Sequence, residues 1–166
     1  LLGSGALLRS SSSFAAPPPA THVDTQIELE HPSGTTVTAH IRSPRLPAGR
    51  RLPVVMVFGG FQEAPQVLEA VRSTRPIIVA TFDYPYGGER KLTFVQVVKD
   101  ALKLRRMVRE VTPLIGTLTA RLKERDDVDA SRLVLLGASF GAPFAIYAAA
   151  QGNGNYLVLI HGFADV

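Results

Sequence analysis

The 166-residue chain contains no cysteine. That absence excludes a disulfide scaffold, a Cys-ligated zinc site and a cysteine nucleophile together. It also contains no Gly-Lys-Ser/Thr sequence, which excludes a phosphate-cradling P-loop. No unbroken apolar run reaches the roughly 18 residues of a membrane-spanning helix, so no membrane span is expected. His and carboxylate residues nowhere take up ligand spacing, so no metal is expected either. Charge is sparse at 19% of residues, and 18 Lys and Arg against 14 Asp and Glu leave only +4. The basic residues are scattered and form no stripe, so nucleic acid is not an expected partner.

What the chain has in quantity is apolar side chains, 46% of the total, together with 14 Gly and 12 Pro. That composition excludes an intrinsically disordered chain, and the length suits one domain with a sizeable core. The opening stretch is different. Leu1-Leu-Gly-Ser-Gly-Ala-Leu-Leu-Arg9, a serine run and Ala15-Ala16-Pro17-Pro18-Pro19-Ala20 read in two ways. One is the remnant of a secretory signal peptide, which implies a secreted or periplasmic protein; the other is a disordered low-complexity leader on a cytoplasmic one. Either way residues 1–22 are set apart from a domain over residues 23–166.

Within that domain, Thr25–Glu30 and Thr36–Ile41 alternate apolar and polar positions around the turn residues His31-Pro32-Ser33-Gly34, which predicts an antiparallel hairpin. Pro44 to Pro53 reads as a basic, proline-rich connection. Val54–Phe58, Ile77–Phe82, Leu133–Leu136 and Tyr156–Ile160 are continuous apolar runs, the pattern of strands covered by helices on both faces. Helical periodicity fills the gaps, longest in the series Phe94, Val97, Val98, Ala101, Leu102, Val108, Val111, Ile115, Leu118 and Leu122. Thr112-Pro113 suits an N-cap and first helical position, so a break into two helices is expected there. A second helix, Ala142–Ala150, is nearly all small and apolar and is expected to be deeply buried. Strands alternating with helices predict an α/β fold, its mainly parallel sheet edged by the antiparallel hairpin.

The segment that carries chemistry is Leu133-Val-Leu-Leu-Gly137-Ala138-Ser139-Phe140-Gly141, a buried strand followed by G-x-S-x-G and a helix of small residues. A nucleophilic serine presented above a sheet sits on a sharp, strained strand-to-helix turn. Side chains two before and two after it would strike the neighbouring helix and strand, so both positions favour glycine, here Gly137 and Gly141. A dinucleotide fingerprint would need Gly at the positions of Ser139 and Ala142, and fails. Ser139 is therefore the candidate nucleophile, and the backbone N–H of Phe140 at the helix N-terminus is a candidate oxyanion donor. A second donor should follow the third strand, in Phe58-Gly59-Gly60-Phe61-Gln62. The amide of Phe61 is the first choice there and that of Gly60 the alternative.

The order of hairpin, strand ending in Gly59-Gly60, strand ending in Phe82-Asp83-Tyr84-Pro85-Tyr86-Gly87-Gly88, then Gly-Ala-Ser-Phe-Gly, resembles the α/β-hydrolase superfamily, with the nearest look to dienelactone-hydrolase-like serine hydrolases. The likeness runs from residue 24 to residue 166. It implies a three-layer α/β/α sandwich, a Ser-His-Asp/Glu triad, an acyl-serine intermediate, a small-molecule acyl substrate and no cofactor. Two departures stand out. Phe58 occupies a position where many relatives carry a histidine that braces the loop. The family's acid and histidine also follow the nucleophile, and past Ser139 the candidates are His161 and Asp165, in reversed order. Asp165 is a candidate triad acid; His161, at a strand end, reads as a base or as a packed structural histidine. His22, His31 and His40 belong to the leader or hairpin, remote from the catalytic edge. Asp83 reads as a carboxylate bracing its loop through turn N–H groups, or as a functional acid. The expectation is the N-terminal part of a serine hydrolase acting on an ester, lactone or related acyl substrate, cut after its sixth strand and nearly inactive alone. The alternative is a non-catalytic hydrolase-like domain, a pseudoenzyme or binding module.

Overall fold

A computed structural model of the chain describes residues 22–31, 34, 36–45, 47, 49–59, 64–84 and 101–160. Strands β1 (His22–Glu30) and β2 (Thr36–Pro44) form the antiparallel hairpin, in register from His22 opposite Pro44 to Glu30 opposite Thr36. Gly34, at φ +82°, closes the turn by donating its N–H to the His31 carbonyl at 2.8 Å. Strands β3 (Leu52–Phe58), β4 (Ile78–Phe82), β5 (Val128–Ala138) and β6 (Tyr156–Ile160) complete one sheet in the order β1-β2-β4-β3-β5-β6. β2 meets β4 antiparallel; β4, β3, β5 and β6 are mutually parallel.

The proline-rich connection is shorter than its composition suggests, because Pro44 ends β2 and Pro53 lies inside β3. A central strand tolerates proline only where the ladder is interrupted. Pro53 meets that condition: the Leu52 N–H is directed toward β5, where it donates to the Asp127 carbonyl, so position 53 faces β4, and the β4 ladder begins only at Val54. On the other side, register against β5 shifts between Leu52 and Val54. The extra β5 residues bow out and are closed on themselves, with Asp129 accepting hydrogen bonds from Ser131 and Arg132.

Three layers result. Helix α1 (Ala64–Ala70) covers one face through Val67 and Leu68, which pack with Val57 and Val79. Helices α2 (Ala101–Lys123) and α3 (Ala142–Ala150) cover the other, where Val54, Met56, Phe58, Ile78, Ala80, Leu133 and Leu135 join the main core. Successive β3 residues thus go to opposite faces, as strand geometry requires. Among the described residues no helix is long and apolar enough to cross a membrane.

Three expectations need correction. Pro113 does not divide the helix; α2 runs through it unbroken. An interior proline costs about 3 kcal/mol through the lost N–H and the clash with the carbonyl four residues back. Against this, Val111, Leu114, Ile115, Leu118 and Leu122 are all fully buried, each burial contributing roughly 1.5–3 kcal/mol, so packing wins. The disturbed turn is also stitched. Thr112 donates its hydroxyl to the Val108 carbonyl at 2.7 Å, Thr117 does the same to Pro113 at 3.0 Å, and His31 Nε2 donates to the Glu110 carbonyl at 2.8 Å.

The second correction concerns β6. Its five apolar residues are not covered on both faces; all are exposed, from 41% at Leu157 to 58% at Tyr156. The third follows from it. Helix α3 buries Ala142, Phe144, Ala145 and Ala148 against β5 and α2, but Ile146 and Tyr147 on its other side are exposed. Both departures lie at one end of the described sheet, where β6 pairs with β5 and with no other described strand. The members Phe94, Val97 and Val98 of the helical series lie outside the described residues, as do residues 1–21 of the leader.

Candidate active site

The parallel strands β3, β4 and β5 bring their carboxyl ends to one edge of the sheet, where ligands of open α/β sheets bind. Phe58, the last residue of β3, lies opposite Gly137 of β5. Beyond β5 the chain enters a single 3₁₀ turn, Ser139–Gly141, and then α3. Ser139 has φ +50°, the one described non-glycine residue in the left-handed region. Such a conformation costs on the order of 1–3 kcal/mol and is held by what surrounds it. Here the surroundings are close. A Cβ on Gly137 would stand 2.7 Å from the Ala142 Cα and 2.8 Å from the Ala145 Cβ, and one on Gly141 would land on the Phe58 carbonyl. Any larger residue at either position would push helix and strand apart.

The turn leaves Ser139 exposed and draws Phe140 into the core. The Ala142 N–H donates to the Ser139 carbonyl, and Pro143 fills the first turn of α3, where a missing N–H is harmless. The Phe140 ring stacks edge-on against Phe144 at 5.3 Å and Tyr84 at 6.5 Å. No described side chain hydrogen-bonds the Ser139 hydroxyl.

Phe58 does not take the place of a polar brace. It is buried, its ring edge-on to Phe82 at 6.1 Å. The brace comes instead from Tyr84, two residues beyond β4, which donates its hydroxyl to the Gly59 carbonyl at 3.0 Å. Burial pushes the Tyr84 phenol above its ordinary range, so it remains a donor across any neutral or mildly alkaline pH. Sequence reasoning did not single out Tyr84. The signal was an aromatic with a polar tip directly after a buried strand, a residue type that buries its ring and seeks a partner for its hydroxyl.

Asp83 is a brace, though by another route than turn amides. Its N–H donates to the Thr38 carbonyl at 3.0 Å, and its carboxylate lies 3.1 Å from His40 Nε2. His40 is therefore not remote from the edge, contrary to expectation. It is nonetheless on the wrong strand to serve Ser139. From β2 to β5 is three steps across the sheet, roughly 14 Å at the usual strand spacing. His22 and His31 lie on the same hairpin. The candidates Gly60, Phe61, His161 and Asp165 lie outside the described residues.

These features define an α/β-hydrolase fold: a mixed six-stranded sheet between helices, with a strand–turn–helix unit at the carboxyl edge. Solved structures of that class superpose on the chain at low identity. An esterase from Pyrobaculum calidifontis gives a TM-score of 0.59 at 21% identity, over 84% of this chain and 45% of that one. A dienelactone hydrolase-like promiscuous phosphotriesterase from metagenomic libraries gives 0.54 at 16%, over 85% of this chain and 59% of that one. A post-proline cleaving enzyme from Rickettsia typhi gives 0.58 at 13%, over 87% and 21%. The chain thus spans only part of each, about a fifth to three-fifths of their lengths. No protein-family model and no curated protein sequence matches it.

Proposed function

We propose that the chain carries the nucleophile half of a serine hydrolase that cleaves an ester, lactone or related acyl substrate through an acyl-serine intermediate. The observation that carries this reading is Ser139: an exposed serine in the left-handed region, on a turn whose flanking glycines are jammed against α3 and the end of β3. A structure accepts such strain where a side chain must be presented in one direction. In the reaction, Ser139 Oγ attacks the acyl carbon as a general base removes its proton, and the leaving alkoxide departs as it is protonated. Water then repeats the sequence on the acyl-serine. The Phe140 amide, with that of Phe61 or Gly60, would stabilise the tetrahedral oxyanion. The described histidines are too far from Ser139 to act as its base. That role falls to a residue outside the described set, with Asp165 the candidate acid.

The test is labelling of the intact natural protein with a fluorophosphonate, followed by peptide mass mapping. The expected result is one adduct on Ser139, lost in Ser139→Ala together with hydrolysis of a p-nitrophenyl ester. Equal labelling of the two proteins overturns the assignment. A wild type that takes no label but still binds an acyl ligand favours the second reading, a hydrolase-like binding module.

A further inference from the structure

We infer that the edge at which β3, β4 and β5 begin, opposite the one that carries Ser139, is a docking surface for a membrane of anionic phospholipid. The sequence scatters its basic residues, but the fold gathers five of them. Arg42 of β2 lies opposite Val79 of β4, and Val54 of β3 lies beside Ile78. Carried on to the strand ends, those registers bring Arg45, Arg75 and Arg51 within one residue of a common level on three neighbouring strands. At the usual strand spacing the three chains span about 10 Å. Arg50 precedes Arg51, and Arg72 lies in the connection from α1 to β4, at the same edge. All five are exposed, and none forms an ion pair with a described residue. Asp127, at this edge, is already held by Arg125 at 2.9 and 2.8 Å. Asp126, which lines a cleft with Arg50, and Glu69, just before Arg72, offset only part of the charge.

A surface that needs only solubility intersperses both signs of charge. A cluster of one sign raises the local potential and draws a partner of the other. Every cation of this cluster is an arginine, whose planar guanidinium takes phosphate oxygens in pairs. Clusters of about four to eight basic residues bind anionic lipid. Two features favour lipid over nucleic acid. The arginines stand on short connections at the blunt end of a sheet, with no helix or ribbon among them to enter a groove. Residues 45–51 and 71–77 also include no aromatic side chain on which a base could stack. Instead Pro47, Val71, Pro76 and Ile77 stand exposed or part-buried among the arginines, apolar groups suited to the headgroup boundary. With this edge on the bilayer, Ser139 at the far end of β5 faces the water.

The test is co-sedimentation of the intact natural protein with vesicles of mixed phosphatidylcholine and phosphatidylserine, against vesicles of phosphatidylcholine alone. The expected result is binding to the mixed vesicles only, with release at about 1 M salt, where screening shortens to about 3 Å. Arg45→Gln, Arg51→Gln and Arg75→Gln combined should weaken binding roughly a hundredfold, at about fivefold per arginine. Arg109→Gln, Arg121→Gln and Lys123→Gln combined remove the same charge from exposed positions on α2 and should change binding less than about threefold. Both triple variants should keep the wild-type melting temperature, because none of the six residues is buried. The lipid and salt comparisons on the wild type stand without either variant. Equal binding to neutral vesicles, no binding to either kind, or equal loss in the two triple variants overturns the proposal. So does binding to a random-sequence DNA duplex or to polyglutamate that the mixed vesicles fail to displace, in which case the edge serves a nucleic acid or an acidic protein. None of these outcomes bears on Ser139, since the proposal is independent of the hydrolase reading.

Discussion

Val54-Val55-Met56-Val57-Phe58 and Tyr156-Leu157-Val158-Leu159-Ile160 are both unbroken apolar runs, yet the first is packed between helices and the second is exposed at every position. Both became parallel strands of one sheet. The difference is position: β3 has a strand on each side, whereas β6 has β5 on one side and no described strand on the other. A continuous apolar run therefore records the environment a strand is suited to. Whether that environment is supplied depends on the rest of the fold. An uncovered edge strand with apolar faces is also a template for association.

The contrast is open to direct attack. The largest effect is expected at the centre. Met56→Ala, at a fully buried position of β3, should cost about 2–5 kcal/mol in urea unfolding, because lost transfer energy adds to an unfilled cavity. A loss below about 1 kcal/mol would mean that the centre is as loosely held as the edge. Next is the helix that covers the centre. Pro113→Ala restores a backbone donor inside α2 and should raise stability by roughly 1–3 kcal/mol. No gain in the unfolding midpoint would show that the threonine bonds and packing around Pro113 have already absorbed its whole cost. The smallest effect is expected at the edge. Leu159→Lys should change stability by no more than about 0.5 kcal/mol, since the residue is exposed. It should also reduce binding of a hydrophobic dye and light scattering by the purified chain. A large destabilisation there would show that β6 is covered in solution.

Much of the architecture was legible because it depends on local pattern. Alternation marked β1 and β2, His31 and Gly34 marked their turn, and four apolar runs marked the parallel strands. Gly137, Ser139 and Gly141 were legible for a steric reason, since the sharp turn admits few residue types. The continuity of α2 was not, because local propensity argues for a break at Pro113 and only tertiary burial argues against it. Nor was Tyr84 legible as the partner of Gly59, or His40 as that of Asp83. Those pairings depend on how β4 aligns with its neighbours β3 and β2, and alignment between strands distant in sequence leaves no mark in either strand alone.

The sheet order has a consequence for the time course of synthesis. β3 pairs with β4, made soon after it, and with β5, made much later, so that Val54 must wait for Leu133. At roughly 5–20 residues per second, one side of β3 stays unpaired for several seconds to some fifteen seconds while the chain is still being made. Through that interval the most apolar strand of the core presents its bare backbone to whatever else is in the cell.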